Sequence, residues 1–207
     1  MFAAIETTQE NIFVTGRAGT GKSTLLNHLS WNTSKQVVIC APTGVAALNV
    51  GGQTIHSLFR LPIGVIADHE IEQGGDVRKL LNTIDTLVID EVSMVNADLL
   101  DAIDRSLRMA RSRRHEAFGG VQLVLFGDPY QLAPVPGDPE ERAYFADTYR
   151  SMWFFVDSMR SKTRFCSAES SGRDTRKDFL CTLDEGAHPI YPLPCEAAVD
   201  HTQACLG

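Results

Sequence analysis

The chain lacks a basic excess, a long apolar run and a paired-cysteine motif, and each absence removes a class of protein. Its 207 residues carry 19 Lys and Arg against 26 Asp and Glu, for a formal net charge of −7. The overall field therefore does not draw in nucleic acid, and any such contact needs local basic surface. One cluster exists, Arg105, Arg108, Arg111, Arg113 and Arg114. It reads equally as a solvated helix end or as a DNA-facing patch. No apolar stretch approaches the ~20 residues of a membrane-spanning helix, so no membrane partner is expected. Met1-Phe2-Ala3-Ala4-Ile5-Glu6 has neither the basic region nor the apolar core of an export signal. The expected location is the cytoplasm, nucleoid-associated in a bacterium. Among the five cysteines, Cys40 ends an apolar run and reads as a buried small hydrophobe. Cys166, Cys181, Cys195 and Cys205 lie in the last quarter, with His188 and His201 among them, but no C-x-x-C pair or zinc-ligand spacing is present.

What the chain does contain is an octapeptide, Gly16-Arg17-Ala18-Gly19-Thr20-Gly21-Lys22-Ser23. It fits G-x-x-x-x-G-K-[ST], the phosphate-binding loop of nucleoside triphosphatases. An apolar run at 12–15 precedes it as a strand, and Thr24-Leu25-Leu26-Asn27-His28-Leu29 opens a helix after it. Glycines let backbone N–H groups turn inward around phosphate oxygens, and the helix N-terminus adds partial positive charge. Lys22 reaches the β- and γ-phosphates, and the Ser23 hydroxyl is placed to ligate Mg²⁺. The phosphate set is Gly16, Ala18, Gly19, Thr20, Gly21, Lys22, Ser23 and Thr24.

Four apolar runs, 12–15, 36–40, 86–90 and 122–127, alternate with helix-like sequence. That alternation predicts an α/β fold with a parallel sheet covered by helices on both faces. Helices are expected at 23–29, 45–48 and 97–110, the last with Leu99, Leu100, Ile103, Leu107 and Ala110 on one face. Residues 61–75 read as a loop-rich excursion. Residues 1–156 form the expected domain, and 157–207, polar and then broken by Pro189, Pro192 and Pro194, read as an irregular tail.

The chemistry falls after the strands, where ligands of parallel sheets gather. Leu87-Val88-Ile89 ends in Asp90-Glu91. Beside a phosphate loop, Asp90 would hold the Mg²⁺ shell, Glu91 would orient or deprotonate the attacking water, and Ser93 could support the metal shell. The run ending at Gly127 leads into Asp128-Pro129-Tyr130-Gln131. Gln131 offers an amide donor and acceptor to a γ-phosphate or water, and Asp128 suits either a tight turn or a functional role. Ala41-Pro42-Thr43-Gly44 begins a helix and makes a second phosphate site. Thr54-Ile55-His56-Ser57-Leu58-Phe59 adds hydroxyls, an imidazole and an aromatic ring that could stack on a base, although Ile55, Leu58 and Phe59 read equally as core.

Taken in order, these segments resemble the first motor lobe of Pif-type (petite integration frequency) DNA helicases, in the RecD/Pif group of superfamily 1B. The likeness covers about residues 11–156. It implies a RecA-like P-loop NTPase fold, ATP and Mg²⁺ as cofactors, and 5′-to-3′ movement on single-stranded DNA. It implies ATP contacts at Gly19, Gly21, Lys22, Ser23 and Thr24. Metal binding and catalysis fall to Asp90 and Glu91, and γ-phosphate sensing to Gln131. DNA contacts fall to Pro42, Thr43, Gly44, Thr54, His56 and Ser57.

The departures shape what is expected of this chain. Gln9 is too poorly placed to stand for the family's adenine-contacting glutamine. No second-lobe motif is recognisable after Val156, which reads as a truncated or frameshifted frame. A lone lobe is expected to bind Mg-nucleotide, turn it over slowly, and need a second lobe in trans for unwinding. A nucleotide-dependent binding module without turnover and a small phosphoryl-transfer kinase are the competing classes.

Overall fold

Strands form where short apolar runs can be buried on both faces. The computed structural model describes residues 1–71, 74–128, 131–135, 137–149, 151–154 and 163–167. Within them lie β1 (Asn11–Thr15), β2 (Val37–Ala41), β3 (Gln53–Thr54), β4 (Thr86–Ile89), β5 (Gln122–Gly127) and β6 (Thr163–Ser167). They form one sheet in the order β3-β2-β4-β5-β1-β6, and every pairing is parallel. The helices are α1 (Phe2–Thr7), α2 (Lys22–Asn32), α3 (Gly44–Asn49), α4 (Ile55–Phe59), α5 (Gly75–Thr83), α6 (Ala97–Ala110) and α7 (Pro139–Thr148). None among the described residues is long and apolar enough to cross a membrane.

The period-2 geometry of the strands splits the interior into two layers. Phe13, Leu87, Ile89, Leu123 and Leu125 point to one face and pack with α4, α5 and α6. Ile12, Val14, Val88, Val124 and Phe126 point to the other and pack with Ile5 of α1 and Leu25, Leu26 and Leu29 of α2. Each such aliphatic side chain stabilises the fold by ~1.5–3 kcal/mol relative to exposure. Asn96 caps α6 by accepting from Leu99 N at 2.8 Å, and the predicted stripe on this helix is buried as expected.

Four differences from the sequence reading have physical causes. The described part of 61–74 is a loop excursion with one 3-10 turn at Asp68–Glu70, but it is pinned. Leu61, Ile66 and Ile71 are buried, and Ile66 N donates to the Asp98 carboxylate at 2.8 Å. Asp98 is 1% exposed and also accepts from the Tyr144 and Tyr149 hydroxyls, so its buried charge is satisfied. Helices α5 and α7 are absent from the predicted set: α5 is only nine residues long, with Val77, Leu80 and Leu81 as its one short apolar stripe, and α7 buries Phe145 alone and shows no apolar period. The irregular tail expected at 157–207 fails at β6, whose backbone pairs with β1 from Asn11↔Thr163 to Thr15↔Ser167. Without it, β1 would present an open row of backbone donors and acceptors. The rest of that range, with Cys181, Cys195, Cys205, His188 and His201, lies outside the described residues.

The arginine cluster resolves mostly into structure. Arg111 Nε donates to Gly119 O at 2.9 Å, and its Nη1 faces the carbonyls of Leu81, Asn82 and Ile84. Arg108 pairs with Asp104 at 2.8 Å, Arg113 with Glu116 at 3.1 Å, and Arg105 reaches Ile66 O and Asp98. Both readings assumed a mostly solvent-facing set, whereas four of the five are tied within the chain.

Candidate nucleotide and nucleic-acid site

Because every strand is parallel, the segments that follow them emerge along one edge of the sheet. Reading across the order β3-β2-β4-β5-β1, these are Thr54, then Pro42 to Gly44, then Asp90-Glu91, then Asp128 and Gln131, then the Gly16–Ser23 loop. The residues singled out in the sequence are thus brought into a single row.

At the β1 tip, the loop closes into α2 through Gly21, which caps the helix at φ 90° and ψ 13°. That left-handed geometry strains any residue with a Cβ. No side chain caps α2, so the N–H groups of its first turn remain available to an anion. Thr20 is committed within the loop, its N and hydroxyl both donating to Arg17 O. Ser23 and Thr24 are exposed at the start of α2. Lys22 Nζ donates to Gly16 O at 2.5 Å and to Arg17 O at 3.2 Å, and no carboxylate among the described residues forms a salt bridge with it. A cationic, amide-rich cradle with two spare hydroxyls fits a magnesium-bound triphosphate.

At the β4 tip, Asp90 N bonds Cys40 O at 2.9 Å, which holds the β2 and β4 ends together. Burial pushes the Asp90 carboxyl above the usual carboxylate range, and the neighbouring Glu91 charge adds to this. The Glu91 N–H and the Lys22 ammonium pull it back. A half-buried carboxylate beside a second carboxylate is relieved by a bound cation. Glu91 itself adopts φ 50° and ψ 41°, a left-handed backbone for a residue with a full side chain. Among the described residues, no group of three or more His, Cys, Asp or Glu could hold a metal on its own. Mg²⁺ suits such a site, because it keeps waters and takes phosphate oxygens alongside one or two protein ligands.

At the β5 tip, Gln131 N bonds Asp128 O at 3.0 Å and Gln131 Nε2 donates to Asp128 Oδ2 at 3.1 Å. Asp128 is 6% exposed; its backbone carbonyl forms the turn and its carboxylate orients the amide. Sequence reasoning left Asp128 undecided, since a carboxylate before a proline is a common turn signal.

At the β2 and β3 tips, the register Ala41↔Thr54 places two threonine-capped helices side by side. Thr43 Oγ1 accepts from Ala46 N and Thr54 Oγ1 from Ser57 N, both at 3.2 Å. Their hydroxyl protons remain free to donate outward. Gly44 and Ser57 are exposed, and Pro42 and His56 are half-buried. Desolvation holds the His56 imidazole below its ordinary pKa, so near neutral pH it is uncharged. Phe59 is 0% exposed, which removes it from base stacking. Its place on the buried face of a five-residue helix, beside Ile55 and Leu58, is the reason.

Comparison with known proteins bears on the family and the fold. The family model described as PIF1-like helicase matches residues 1–182. Over 145 residues the chain is 43% identical to the ATP-dependent DNA helicase PIF1 of Saccharomyces cerevisiae (strain YJM789), covering 66% of this chain and 17% of that protein. The Homo sapiens ATP-dependent DNA helicase PIF1 is 40% identical over 130 residues, covering 61% of this chain and 20% of that one. The chain thus spans about a fifth of these relatives. Among solved structures, Bacteroides Pif1 bound to ssDNA is 41% identical with a TM-score of 0.73, covering 81% of this chain and 39% of that one. The Bacteroides sp Pif1 complex with ADP-AlF4 gives 0.74 at 41% identity, covering 80% and 39%.

Proposed function

This chain belongs to the PIF1-like helicase family, and from that premise we propose that it is the RecA-like motor lobe of an ATP-dependent DNA helicase. It binds Mg-ATP at the β1, β4 and β5 tips and single-stranded DNA at the β2 and β3 tips, moving 5′ to 3′ when a second lobe is supplied. Its place of work is the cytoplasm or a bacterial nucleoid. The observation that carries this reading is the sheet order β4-β5-β1, in which the Asp90-Glu91 pair, Gln131 and the phosphate loop follow the ends of three neighbouring strands.

The steps follow from the residues. The amides of Gly16 through Ser23 surround the phosphates, with Ala18, Gly19 and Thr20 forming the turn and Thr24 the next hydroxyl. Lys22 leaves the carbonyls of Gly16 and Arg17 and takes up the β- and γ-phosphate oxygens. Ser23 and Asp90 would hold a Mg²⁺, which would supply neutralisation of the phosphate charge. Glu91 accepts the proton of the attacking water, and Gln131, steadied by Asp128, orients that water against the γ-phosphate. Pro42, Thr43, Gly44, Thr54, His56 and Ser57 hold the DNA backbone through hydroxyl, backbone and neutral imidazole donors. An arginine supplied from outside the lobe is worth roughly 10³–10⁵ in rate, so the chain alone hydrolyses slowly.

The test is nucleotide binding and single-turnover hydrolysis, with and without single-stranded DNA. Lys22→Ala removes charge-assisted bonds of roughly 1.5–3 kcal/mol and should weaken Mg-ATP binding about 10- to 100-fold. Glu91→Gln should retain binding and lose turnover. Wild-type affinity in Lys22→Ala, or turnover indifferent to DNA, would refute the motor reading.

A further inference from the structure

The Glu91 turn and the Gln131 loop come from different strands, yet they meet at one glycine. Gly127 is the last residue of β5, just before the buried Asp128 that bonds the Gln131 amide. A Cβ built on Gly127 would lie 2.9 Å from Val92 Cγ1 and 3.2 Å from the backbone nitrogens of Val92 and Ser93. Those residues follow Glu91 directly, and they are 0% and 2% exposed, so they have little room to yield. Beyond the burial of Val92 and Val95 in the core, the turn has few polar restraints. No side chain caps it at Glu91, and the buried Ser93 hydroxyl has no partner among the described residues. What holds it is its backbone bonding, Met94 N to Glu91 O and Val95 N to Val92 O, together with its packing against the end of β5. Glu91 sits at the head of this turn in the left-handed region, where a small displacement changes the direction of the carboxylate.

We propose that Gly127 is a positioning residue: its bare Cα packs against Val92 and Ser93, sets the Glu91 turn, and couples it to the Gln131 loop. The contact forms a short mechanical chain. A shift of Gln131 on meeting the γ-phosphate passes through Asp128 to Gly127, and from Gly127 to the backbone that carries Glu91. Glycine is the residue that allows this approach. An alanine methyl pushes Val92 away by the difference between 2.9 Å and the 3.4 Å of ordinary contact, and the displacement falls on a residue that must hold its geometry against an attacking water. The inference rests on the motor reading above, in which Glu91 activates that water.

The experiment is single-turnover hydrolysis of Mg-ATP by the full chain in excess, beside binding of a fluorescent ATP analogue, for wild type, Gly127→Ala and Gly127→Ala/Val92→Ala. Misplacing a catalytic group by about half an ångström should slow hydrolysis at saturating nucleotide by about 10-fold, with affinity changed by less than about 2-fold. The double variant removes the methyl that the new Cβ strikes, so it should recover part of the lost rate. Hydrolysis by Gly127→Ala at the wild-type rate overturns the proposal. So does a parallel loss of affinity and turnover, since the glycine would then serve the fold alone, and so does a double variant no faster than the single. Wild type that binds nucleotide without any turnover would defeat the motor reading instead. In that case a crystal structure of Gly127→Ala decides the coupling separately: a displaced Glu91 turn upholds it, and an unmoved one ends it.

Discussion

Arg111→Ala should cost stability and leave DNA binding alone, which separates the structural role of this arginine from the DNA-facing one its sequence neighbourhood suggested. The guanidinium closes the end of α6 over the entry to β4 and β5. Its Nε donates to Gly119 O at 2.9 Å, and its Nη1 lies 2.9 Å from Ile84 O, 3.1 Å from Asn82 O and 3.3 Å from Leu81 O. One Nη1 carries two protons, so the Ile84 and Asn82 bonds take them and the Leu81 contact is a weak third. That leaves three bonds of value. The Asn82 contact is exposed, so the guanidinium as a whole contributes less than three fully buried charged bonds would. At about 1 kcal/mol net for each, plus a few tenths for a cation at a helix C-terminus, the loss comes to roughly 2–4 kcal/mol.

Against a typical total of ~5–15 kcal/mol this is a large fraction. For a domain of this size each kcal/mol moves Tm by about 2–4 °C, so the expected shift is roughly 4–16 °C. Urea denaturation followed by circular dichroism gives the free energy, and fluorescence anisotropy with labelled single-stranded DNA gives the affinity. Arg111→Lys should recover less than half, because a single ammonium cannot span from Gly119 O to Ile84 O as the planar fork does. A variant with unchanged stability and weakened DNA binding would refute the reasoning and return Arg111 to the DNA-facing class.

Asp90→Asn should raise Tm in the absence of Mg²⁺ while abolishing turnover. The folded Asp90 carboxyl titrates above its ordinary value because of burial and the Glu91 charge, so its ionised form works against the fold at neutral pH; a lowered or unchanged Tm would contradict this. Glu6→Gln should show a pH-dependent loss. The Ser34 and Thr33 side chains and the Ser34 N–H hold the Glu6 carboxyl below its ordinary value. A depressed folded pKa gives stability that is present above the unfolded value and lost as pH falls through the folded one. The denaturation midpoints of wild type and variant should therefore differ at pH 7 and converge below about pH 4, the ordinary range of a glutamate; a gap constant with pH would count against the bond.

Legibility in the sequence tracked how strongly burial or chemistry constrained each segment. Strands β1, β2, β4 and β5 were readable because almost every residue must be apolar when both faces are covered, as in the fully buried β4 and β5. Helix α6 was readable because one face carries Leu99, Leu100, Ile103, Leu107 and Ala110 in phase. Segments that attach by few side chains or by backbone alone left little or no pattern: α5 through Leu81 and Val77, α7 through Phe145, and β6 through its ladder with β1. The site divides along the same line. The phosphate loop and Asp90-Glu91 are readable as candidates because phosphate and metal chemistry would dictate both residue type and spacing. The Asp128 bond to Gln131 and the close approach of Gly127 to Val92 are set by tertiary geometry, for which a Gly-Asp-Pro sequence is only an ordinary turn. Phe59 could be read either way, as a stacking ring beside His56 and Ser57 or as core, and the short α4 settles it by turning the ring inward with Ile55 and Leu58. On the proposed role of Glu91, its turn depends on contacts that no local motif encodes. Substitutions that spare every motif residue but crowd the β4–β5 junction should therefore affect turnover more than nucleotide affinity.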